Sequence, residues 1–466
     1  MERLRRLVGE RHVLERPAQL AVYESDGLAG YRKRPRVAVF PGTRDEVVEV
    51  VRLLAELKVP FVPRGAGTGL SGGALADDVV LLGLHRLKQI LHIDRERRTA
   101  TVEPGVVNAA LNRALGAYRL FYAPDPSSDS ACTIGGNVAE NSGGPHCLKY
   151  GVTLNHVLAA TVVLPSGEIV TLGDLSGGMA GYDLLGVFVG SEGCFGIALD
   201  VTVKLMRTPE AVRTLLADFS SVDGAAHATS AIVASGIVPA ALEFMDGATI
   251  RVVEESIYAA GYPADAAAVL LIELDGGRSG IDDDVTMVRD LCMNAGARDV
   301  MIATDPKDRA RLWQGRKKAF GAMGRIAPNL VVQDAVVPRT KLSEILARIQ
   351  AISDAHGVQV YNVFHAGDGN LHPNVLYAGD DPGEVERVHL AMREIMHACI
   401  EAGGSITGEH GVGLDKIGYM DALFTQDTLA AMCDVRRVFD PEQRANPGKV
   451  VPVHSCREWH GTASAR

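Results

Sequence analysis

Pro63-Arg-Gly-Ala-Gly-Thr-Gly-Leu-Ser-Gly-Gly73 is the stretch on which the fold turns. Within it, Gly67-Thr-Gly-Leu-Ser-Gly72 matches G-x-G-x-x-G, the dinucleotide fingerprint of a Rossmann unit. That fingerprint requires a helix to open at the motif, so that its N-terminus meets the pyrophosphate. Here Ala74-Leu-Ala-Asp-Asp78 leads straight into Val79–Leu82, an apolar run that reads as a strand. No helix fits between them, and the Rossmann reading is rejected. A Gly-rich loop between strands can still receive phosphate through consecutive N–H groups.

Upstream, residues 38–63 (AVFPGTRDEVVEVVRLLAELKVPFVP) read as strand, helix, strand. Val47, Val48, Val51, Leu54 and Leu57 recur at helical spacing, and Thr43 or Asp45 can cap the start. Downstream come β-rich runs at Val79–Leu82, Ile90–Ile93 and Thr99–Glu103, then a helix over Val107–Leu115. Val157–Leu164 and Glu168–Leu172 flank Pro165-Ser-Gly167, a hairpin signal, and Ala198–Met206 adds a strand. From about residue 210, strands at Leu215–Phe219, Ala241–Phe244 and Val269–Leu274 alternate with helices near 223–235, 279–295 and 340–356. This predicts a second α+β domain. The polar tail from His454 reads as frayed.

Composition narrows the class. The 466 residues include 50 glycines, where a usage of roughly 7% gives about 33. Nineteen of them fall in the windows 65–73, 135–144, 190–196, 367–369 and 403–413, so the excess sits in particular loops. At 47% hydrophobic and 22% charged, a chain of this length predicts two or three globular domains. A net charge of −10 argues against nucleic-acid binding. No apolar run approaches the ~18 residues of a membrane span, and no transmembrane segment is expected. Residues 1–16 lack the apolar core of a secretory signal. Seven dispersed cysteines without a C-x-x-C pair exclude zinc ribbons, thioredoxin chemistry and ferredoxin-type iron–sulfur ligation, and read as reduced thiols.

Two further windows share the character of the first. Tyr122-Ala-Pro-Asp-Pro-Ser-Ser128, Thr133-Ile-Gly-Gly-Asn137 and Glu140-Asn-Ser-Gly-Gly144 form a long polar segment that reads as a functional loop. Gly190-Ser-Glu-Gly-Cys-Phe-Gly196 precedes the strand from Ala198. Together with PRGAGTGLSGGAL (63–75) and Ala445-Asn-Pro-Gly-Lys449, these motifs resemble the FAD-linked oxidases of the vanillyl-alcohol-oxidase/p-cresol-methylhydroxylase (PCMH) superfamily. Within it, the chain is most similar to the bacterial glycolate oxidase flavin subunits and related D-lactate dehydrogenases. The resemblance runs from about Val22 to Val450.

It implies an α+β protein with a two-subdomain FAD-binding fold of PCMH type over 1–209. An inserted α+β cap, the substrate domain, would span 210–426 and carry the metal and catalytic histidines. A C-terminal helical segment, 427–466, would return to the FAD domain. The pyrophosphate would lie along Pro63, Arg64, Gly65, Ala66, Gly67, Thr68, Gly69 and Leu70. The flavin would be lined by Pro124, Asp125, Ser128, Thr133, Gly135, Gly136, Asn137, Asn141, Gly143 and Gly144. Glu192, Gly193 and Ile197 would serve the adenosine side, and Asn446 would also touch the cofactor. The first loop has neither His nor Cys, so non-covalent FAD is expected.

Phe364-His-Ala-Gly-Asp-Gly-Asn-Leu-His-Pro373 carries two histidines. A two-residue turn at Asp368-Gly369 would put His365 opposite His372, with Cβ atoms about 4.5–5.5 Å apart on one face. Gly408-Glu-His-Gly-Val-Gly413 supplies an acid and a third His. Two His plus one carboxylate is a recognised open set for zinc or iron. A pair of ordinary structural histidines fits the same spacing. The resemblance implies His365, His372 and Glu409 as ligands of a divalent metal, zinc or manganese. It implies His410 as the base that takes the hydroxyl proton.

Leu312-Trp-Gln-Gly-Arg-Lys-Lys318 is a cationic cluster that by itself fits a solvated helix face. The resemblance makes Arg316 the grip on the substrate carboxylate, through its bidentate fork, and Asn374 a second substrate contact. Relatives that use diacids such as 2-hydroxyglutarate place a Lys where Val332 stands. Its absence favours a small monoacid, glycolate or D-lactate.

The expected activity is FAD-dependent oxidation of a small D-2-hydroxy acid to the 2-oxo acid. His410 would remove the hydroxyl proton while C2 gives hydride to flavin N5. With no iron–sulfur ligation in the chain, electrons would pass to a partner subunit, of iron–sulfur or second flavin-domain type, or to a quinone. A cytoplasmic location is expected, or a peripheral one at the inner membrane through a partner. Three alternatives stand beside this: a D-2-hydroxyglutarate-type dehydrogenase, a metal-dependent hydrolase, and a non-catalytic flavoprotein subunit. The hydrolase leaves the loops at 65–73 and 135–144 unexplained.

Overall fold

A strand–helix–strand unit leads into the first Gly-rich loop. The computed structural model describes residues 1–28, 30–175 and 181–452, so the tail from His454 lies outside the described residues. Strands β1 (Val13–Leu14), β2 (Val37–Val39), β3 (Phe61–Arg64) and β4 (Val80–Gly83) form one sheet in the order β1-β2-β4-β3. Strand β4 runs parallel to both β2 and β3. Helix α1 (Arg44–Glu56) crosses between β2 and β3, and Thr43 caps it by accepting from the Glu46 N–H at 3.2 Å. Val47, Val48, Val51 and Leu54 are buried on its inner face. Each such side chain is worth roughly 1.5–3 kcal/mol when fully buried. No helix opens between β3 and β4, in line with the rejection of a Rossmann unit.

A second, antiparallel sheet contains β5 (Ile90–Asp94), β6 (Thr99–Val102), β7 (Val157–Val163), β8 (Ile169–Gly173) and β9 (Ile197–Lys204), ordered β5-β6-β9-β7-β8. The hairpin signal at Pro165-Ser-Gly167 is the β7–β8 turn, with Val163 opposite Ile169. Helix α2 (Asn108–Leu115) buries Leu111 and Leu115 in the same core as Val201 and Val203 of β9.

The segment expected as one long loop contains a helix, α3 (Ile134–Glu140). Thr133 caps it by accepting from the Gly136 N–H at 3.3 Å, and Ile134 and Val138 bury one face at i, i+4. Asn141 stops it in the left-handed conformation at φ 52°. Polar, Gly-rich composition hid a short helix that its caps and two apolar residues suffice to make.

The second body is built on nine strands. They are β10 (Ala211–Phe219), β11 (Ala241–Asp246), β12 (Ala268–Gly276), β13 (Ala297–Ile302), β14 (Asn329–Val332), β15 (Ala335–Val336), β16 (Val360–His365), β17 (Asn370–Leu371) and β18 (Pro373–Tyr377). The main path is β13-β10-β12-β11-β16-β17-β15, and β18 pairs with both β16 and β14. Helix α4 (Pro306–Lys317) starts with Pro306 in its first turn, and Asp305 accepts from the N–H groups of Lys307 and Asp308 at 2.7 and 3.0 Å.

Compact units divide the chain at 143/144, 150/151, 208/209 and 408/409, against expected boundaries at 209/210 and 426/427. Among the described residues, one unit holds those of 1–143, 151–208 and 409–452, the other 144–150 and 209–408. The early return at Glu409 has a local cause. Val412 and Gly413 give their N–H groups to the Glu192 carboxylate, and Leu414 gives its own to the Ser71 carbonyl. Helix α5 (Gln426–Phe439) then follows in the first unit, where Arg436 donates to the carbonyls of Lys449, Ala445 and Asn446. Segment 144–150 joins the second unit because Lys149 and Tyr150 both bond Asp275.

Cys132, Cys147, Cys194, Cys292 and Cys399 are free thiols, in line with the expectation for those five. No described helix is long and apolar enough to cross a membrane.

Candidate active site

In the first unit the Gly-rich windows converge. Thr68 and Ser128 hydroxyls lie 3.5 Å apart, and a Cβ on Gly65 would meet Thr133 Oγ1 at 2.4 Å. The loop at 65–73 therefore rests against both the Pro124–Ser128 and the Thr133–Asn137 stretches. A Cβ on Gly193 would be 2.5 Å from Pro63 Cγ, which brings in the third window. Asn137 Nδ2 and Ser71 Oγ are buried with no hydrogen-bond partner among the described residues. Native proteins rarely leave such groups unsatisfied, so this cradle fits a polar ligand that completes it, as FAD would.

Several side chains in and beside these windows also make bonds within the protein. Arg64 turns back to donate to the Ser25 carbonyl at 2.8 Å. Asn141 Oδ1 accepts from the Leu154 N–H at 2.8 Å, and Ile197 is buried in the core beneath β3 and β4. Gly144 sits with the second unit. Asn446 Nδ2 donates to the carbonyls of Gly73 and Glu192 at 2.9 and 2.6 Å, tying the C-terminal segment to two of the Gly-rich loops.

Glu192 uses both carboxylate oxygens on backbone, accepting from Val412 N at 2.7 Å and Gly413 N at 2.8 Å. It thereby fixes the loop that carries Glu409 and His410, whose side chains lie 3.7 Å apart. Gly411 is required here: its φ is +85°, and a Cβ would meet Glu140 Oε2 at 2.4 Å and Glu192 Oε1 at 2.7 Å. Two carboxyls thus flank one glycine. Burial, and then the Glu192 charge, push the Glu140 carboxyl well above its usual range. Burial raises the Glu192 carboxyl as well, but the Val412 and Gly413 N–H groups that point at it oppose the shift, so of the two carboxyls Glu140 is pushed up further.

In the second unit the histidine hairpin has a longer turn than expected. His365 pairs with Asn370, not His372, because the turn takes the four residues Ala366–Gly369, with Gly369 at φ +76°. His372 is displaced by two positions, so it stays on the same face as a diagonal neighbour. The two rings pack edge to face with centroids 5.2 Å apart. His372 Nδ1 lies 3.1 Å from the Gln333 carbonyl and 4.0 Å from Asp334 Oδ1. His365 Nδ1 lies 2.8 Å from Glu243 Oε1. Anchoring Nδ1 on a carboxylate or carbonyl is how proteins orient imidazoles that bind metal through the other nitrogen, so both rings fit that use.

Glu243 also accepts from Arg316 Nη2 at 2.6 Å, and both side chains are buried. Burial alone would raise the Glu243 pKa, but the Arg316 and His365 charges outweigh it and hold the carboxylate ionised. Arg316 Nε is buried and has no partner among the described residues. The same holds for Asn374 Oδ1, whose Nδ2 donates to the carbonyls of His372 and Tyr361. Val332 lies directly opposite Asn374 across β14 and β18. Asp334 accepts from Thr407 Oγ1 at 2.6 Å and Gly408 N at 3.1 Å, immediately before Glu409 in the chain.

Glu140, Glu243 and Asp334 are absent from the expectations drawn from sequence. For the last two the signal was present: each is an acid inside an apolar strand run, ALEFM (241–245) and VVQDAVV (331–337). A charge at a core position is rarely tolerated unless paired.

Comparison with known proteins agrees with this architecture. A family model described as FAD linked oxidases, C-terminal domain, matches residues 208–450, and one described as FAD binding domain matches 35–173. The glycolate oxidase subunit GlcD of Escherichia coli (strain K12) is 46% identical over 458 residues, covering 98% of this chain and 92% of the relative. D-lactate dehydrogenase of Anaerostipes hadrus is 34% identical over 438 residues, with 92% of each chain covered. The solved 4-ethylphenol oxidase from Gulosibacter chungangensis superposes with a TM-score of 0.79 at 21% identity, covering 97% of both chains, and shares the fold. The chain belongs to the FAD-linked oxidases, with an FAD-binding domain followed by the C-terminal domain of that family.

Proposed function

We propose that the protein is an FAD-dependent dehydrogenase that oxidises a small D-2-hydroxy acid, glycolate or D-lactate, to the 2-oxo acid. The observation that carries this reading is the buried Glu243 carboxylate shared by Arg316 and His365. It brings the cation suited to a substrate carboxylate beside an imidazole suited to a metal. The names and identities of the glycolate oxidase subunit and the D-lactate dehydrogenase support the substrate class.

When bound, FAD would supply the ring that accepts hydride from C2, and a divalent ion, zinc or manganese, would supply Lewis acidity toward the substrate hydroxyl. His365, His372 and Glu409 would hold that ion. Arg316 offers its unpartnered Nε to the substrate carboxylate, and Asn374 offers Oδ1 as a hydrogen-bond acceptor. His410, on the loop clamped by Glu192, takes the hydroxyl proton. Val332, apolar and beside Asn374, offers no charge to a second carboxylate and favours monoacids. Pro63–Leu70, Pro124–Ser128, Thr133–Asn137 and the loop at 190–196 bind FAD without a covalent link. Electrons leave to a partner subunit or a quinone, and any membrane contact is made through that partner.

The test is anaerobic bleaching of the bound flavin by glycolate, D-lactate, L-lactate and D-2-hydroxyglutarate. Glycolate or D-lactate should bleach fastest. Preferential bleaching by L-lactate would refute the stereochemistry, and purified protein without flavin would refute the function.

A further inference from the structure

Glu273 is a buried carboxylate in the middle of β12 that the proposed chemistry does not use. It accepts from Trp313 Nε1 at 2.7 Å, from Thr214 Oγ1 at 2.9 Å, and from Nε and Nη2 of Arg309 at 2.8 Å each. His146 Nε2 lies 3.3 Å away, and its ring stacks on Trp313 with centroids 5.6 Å apart. One carboxylate therefore gathers β10, helix α4 and segment 144–150.

The sheet register shows what this clamp holds. Glu243 lies opposite Leu271 on β12, and Leu271 is two residues from Glu273, so both acids point to one face. Helix α4 lies across that face. Arg309 and Trp313, at i and i+4, grip Glu273, and Arg316, one turn on from Trp313, grips Glu243. Two anchored points on neighbouring strands fix the azimuth of the helix, and so the direction of the Arg316 fork. His146 follows Gly144 by two residues, at the end of the stretch assigned to the flavin.

We propose that Glu273 is a positioning residue, which holds helix α4 so that Arg316 meets the substrate carboxylate in productive geometry. This rests on the assignment of Arg316 as the substrate cation. A carboxylate placed only to stabilise the unit would change thermal stability without altering substrate recognition.

The experiment uses the FAD-loaded protein with D-lactate or glycolate as substrate, and the variants E273Q, E273D and R309Q. Arg309 is half exposed, so R309Q tests the clamp even where E273Q folds poorly. For E273Q and R309Q the expected result is unchanged FAD content, KM raised about tenfold and kcat within about twofold, the pattern of lost ground-state binding. E273D should recover part of the KM. Tryptophan emission should shift in E273Q, since Trp313 is one of two tryptophans and loses its charged acceptor. A KM equal to the native value in both E273Q and R309Q, with emission shifted, overturns the proposal. Wild-type turnover tests the proposed activity separately. R316Q tests the Arg316 assignment: if it leaves KM unchanged while E273Q raises it, that assignment fails and Glu273 acts through another residue of the helix.

Discussion

Glu243 and His365 lie directly opposite each other on adjacent antiparallel strands, and the Glu243 carboxylate accepts hydrogen bonds from both His365 Nδ1 and the Arg316 guanidinium. They are 122 positions apart in the chain. From this pair come expectations for stability as well as for chemistry.

Substituting Glu243 with Gln leaves Arg316 charged, buried and without its partner. Removing one member of a buried pair typically costs about 3–5 kcal/mol. Denaturant titration of E243Q should show a loss of that size, and adding R316M should restore part of it. If E243Q is as stable as the native protein, the pair is not held as described.

Glu140 predicts a pH effect of opposite sign to ordinary carboxylates. Its folded pKa is raised, by burial and then by Glu192, so the native state binds the proton more tightly than the unfolded chain. That contribution is complete below the unfolded value near ~4.3 and is lost as pH rises toward the folded pKa. E140Q mimics the protonated form and has no such loss. Its melting temperature should gain on wild type steadily from pH 5 to pH 8, and a constant difference would exclude a protonated Glu140.

Glu273 predicts the reverse on the acid side. Burial alone would raise its pKa, but the hydrogen bonds from His146 and Arg309 outweigh it and hold the carboxyl far below the usual range. Its contribution is present above the unfolded value near ~4.3 and is lost as pH falls below it. The acid limb of a stability–pH curve should therefore be shallower in E273Q. An unchanged limb would mean that the clamp does not survive in solution.

His410 as base predicts that H410A keeps its flavin spectrum while its rate of flavin reduction falls. General-base loss costs roughly 10²–10⁴-fold. Stopped-flow reduction by the best substrate reads this directly, and a fall under threefold would remove His410 from the proton transfer.

The metal assignment is checked by elemental analysis of native protein, H365A and H372A. Near one equivalent of zinc or manganese in the native protein should drop sharply in both variants. Equal metal in all three would place the ion elsewhere.

Much of the fold was legible because its signals are local. Thr43 before an amphipathic run made a helix, Pro165-Ser-Gly167 made a hairpin, and an apolar run straight after the Gly-rich loop ruled out the Rossmann unit. The short helix after Thr133 escaped, since two buried residues and an Asn stop carry little periodicity. The histidine register differs by two residues from the one the spacing predicts, because Gly369 permits a four-residue turn as readily as a two-residue one. The face is kept, for a slip of two preserves the side of a strand.

The order of the Gly-rich motifs and the residue types at Arg316, Asn374, His365, His372, Glu409 and His410 are properties of the sequence, and they point to a flavin-linked hydroxy-acid oxidase. Which acids those residues lean on was decided only by tertiary structure. Glu243 meets His365, Glu273 meets Arg309 and Trp313, and Glu192 meets the backbone beyond His410, each across a long span of chain. Strand pairing and helix docking choose such partners by the burial of whole apolar faces, and that choice leaves no mark in the spacing around any one charged residue.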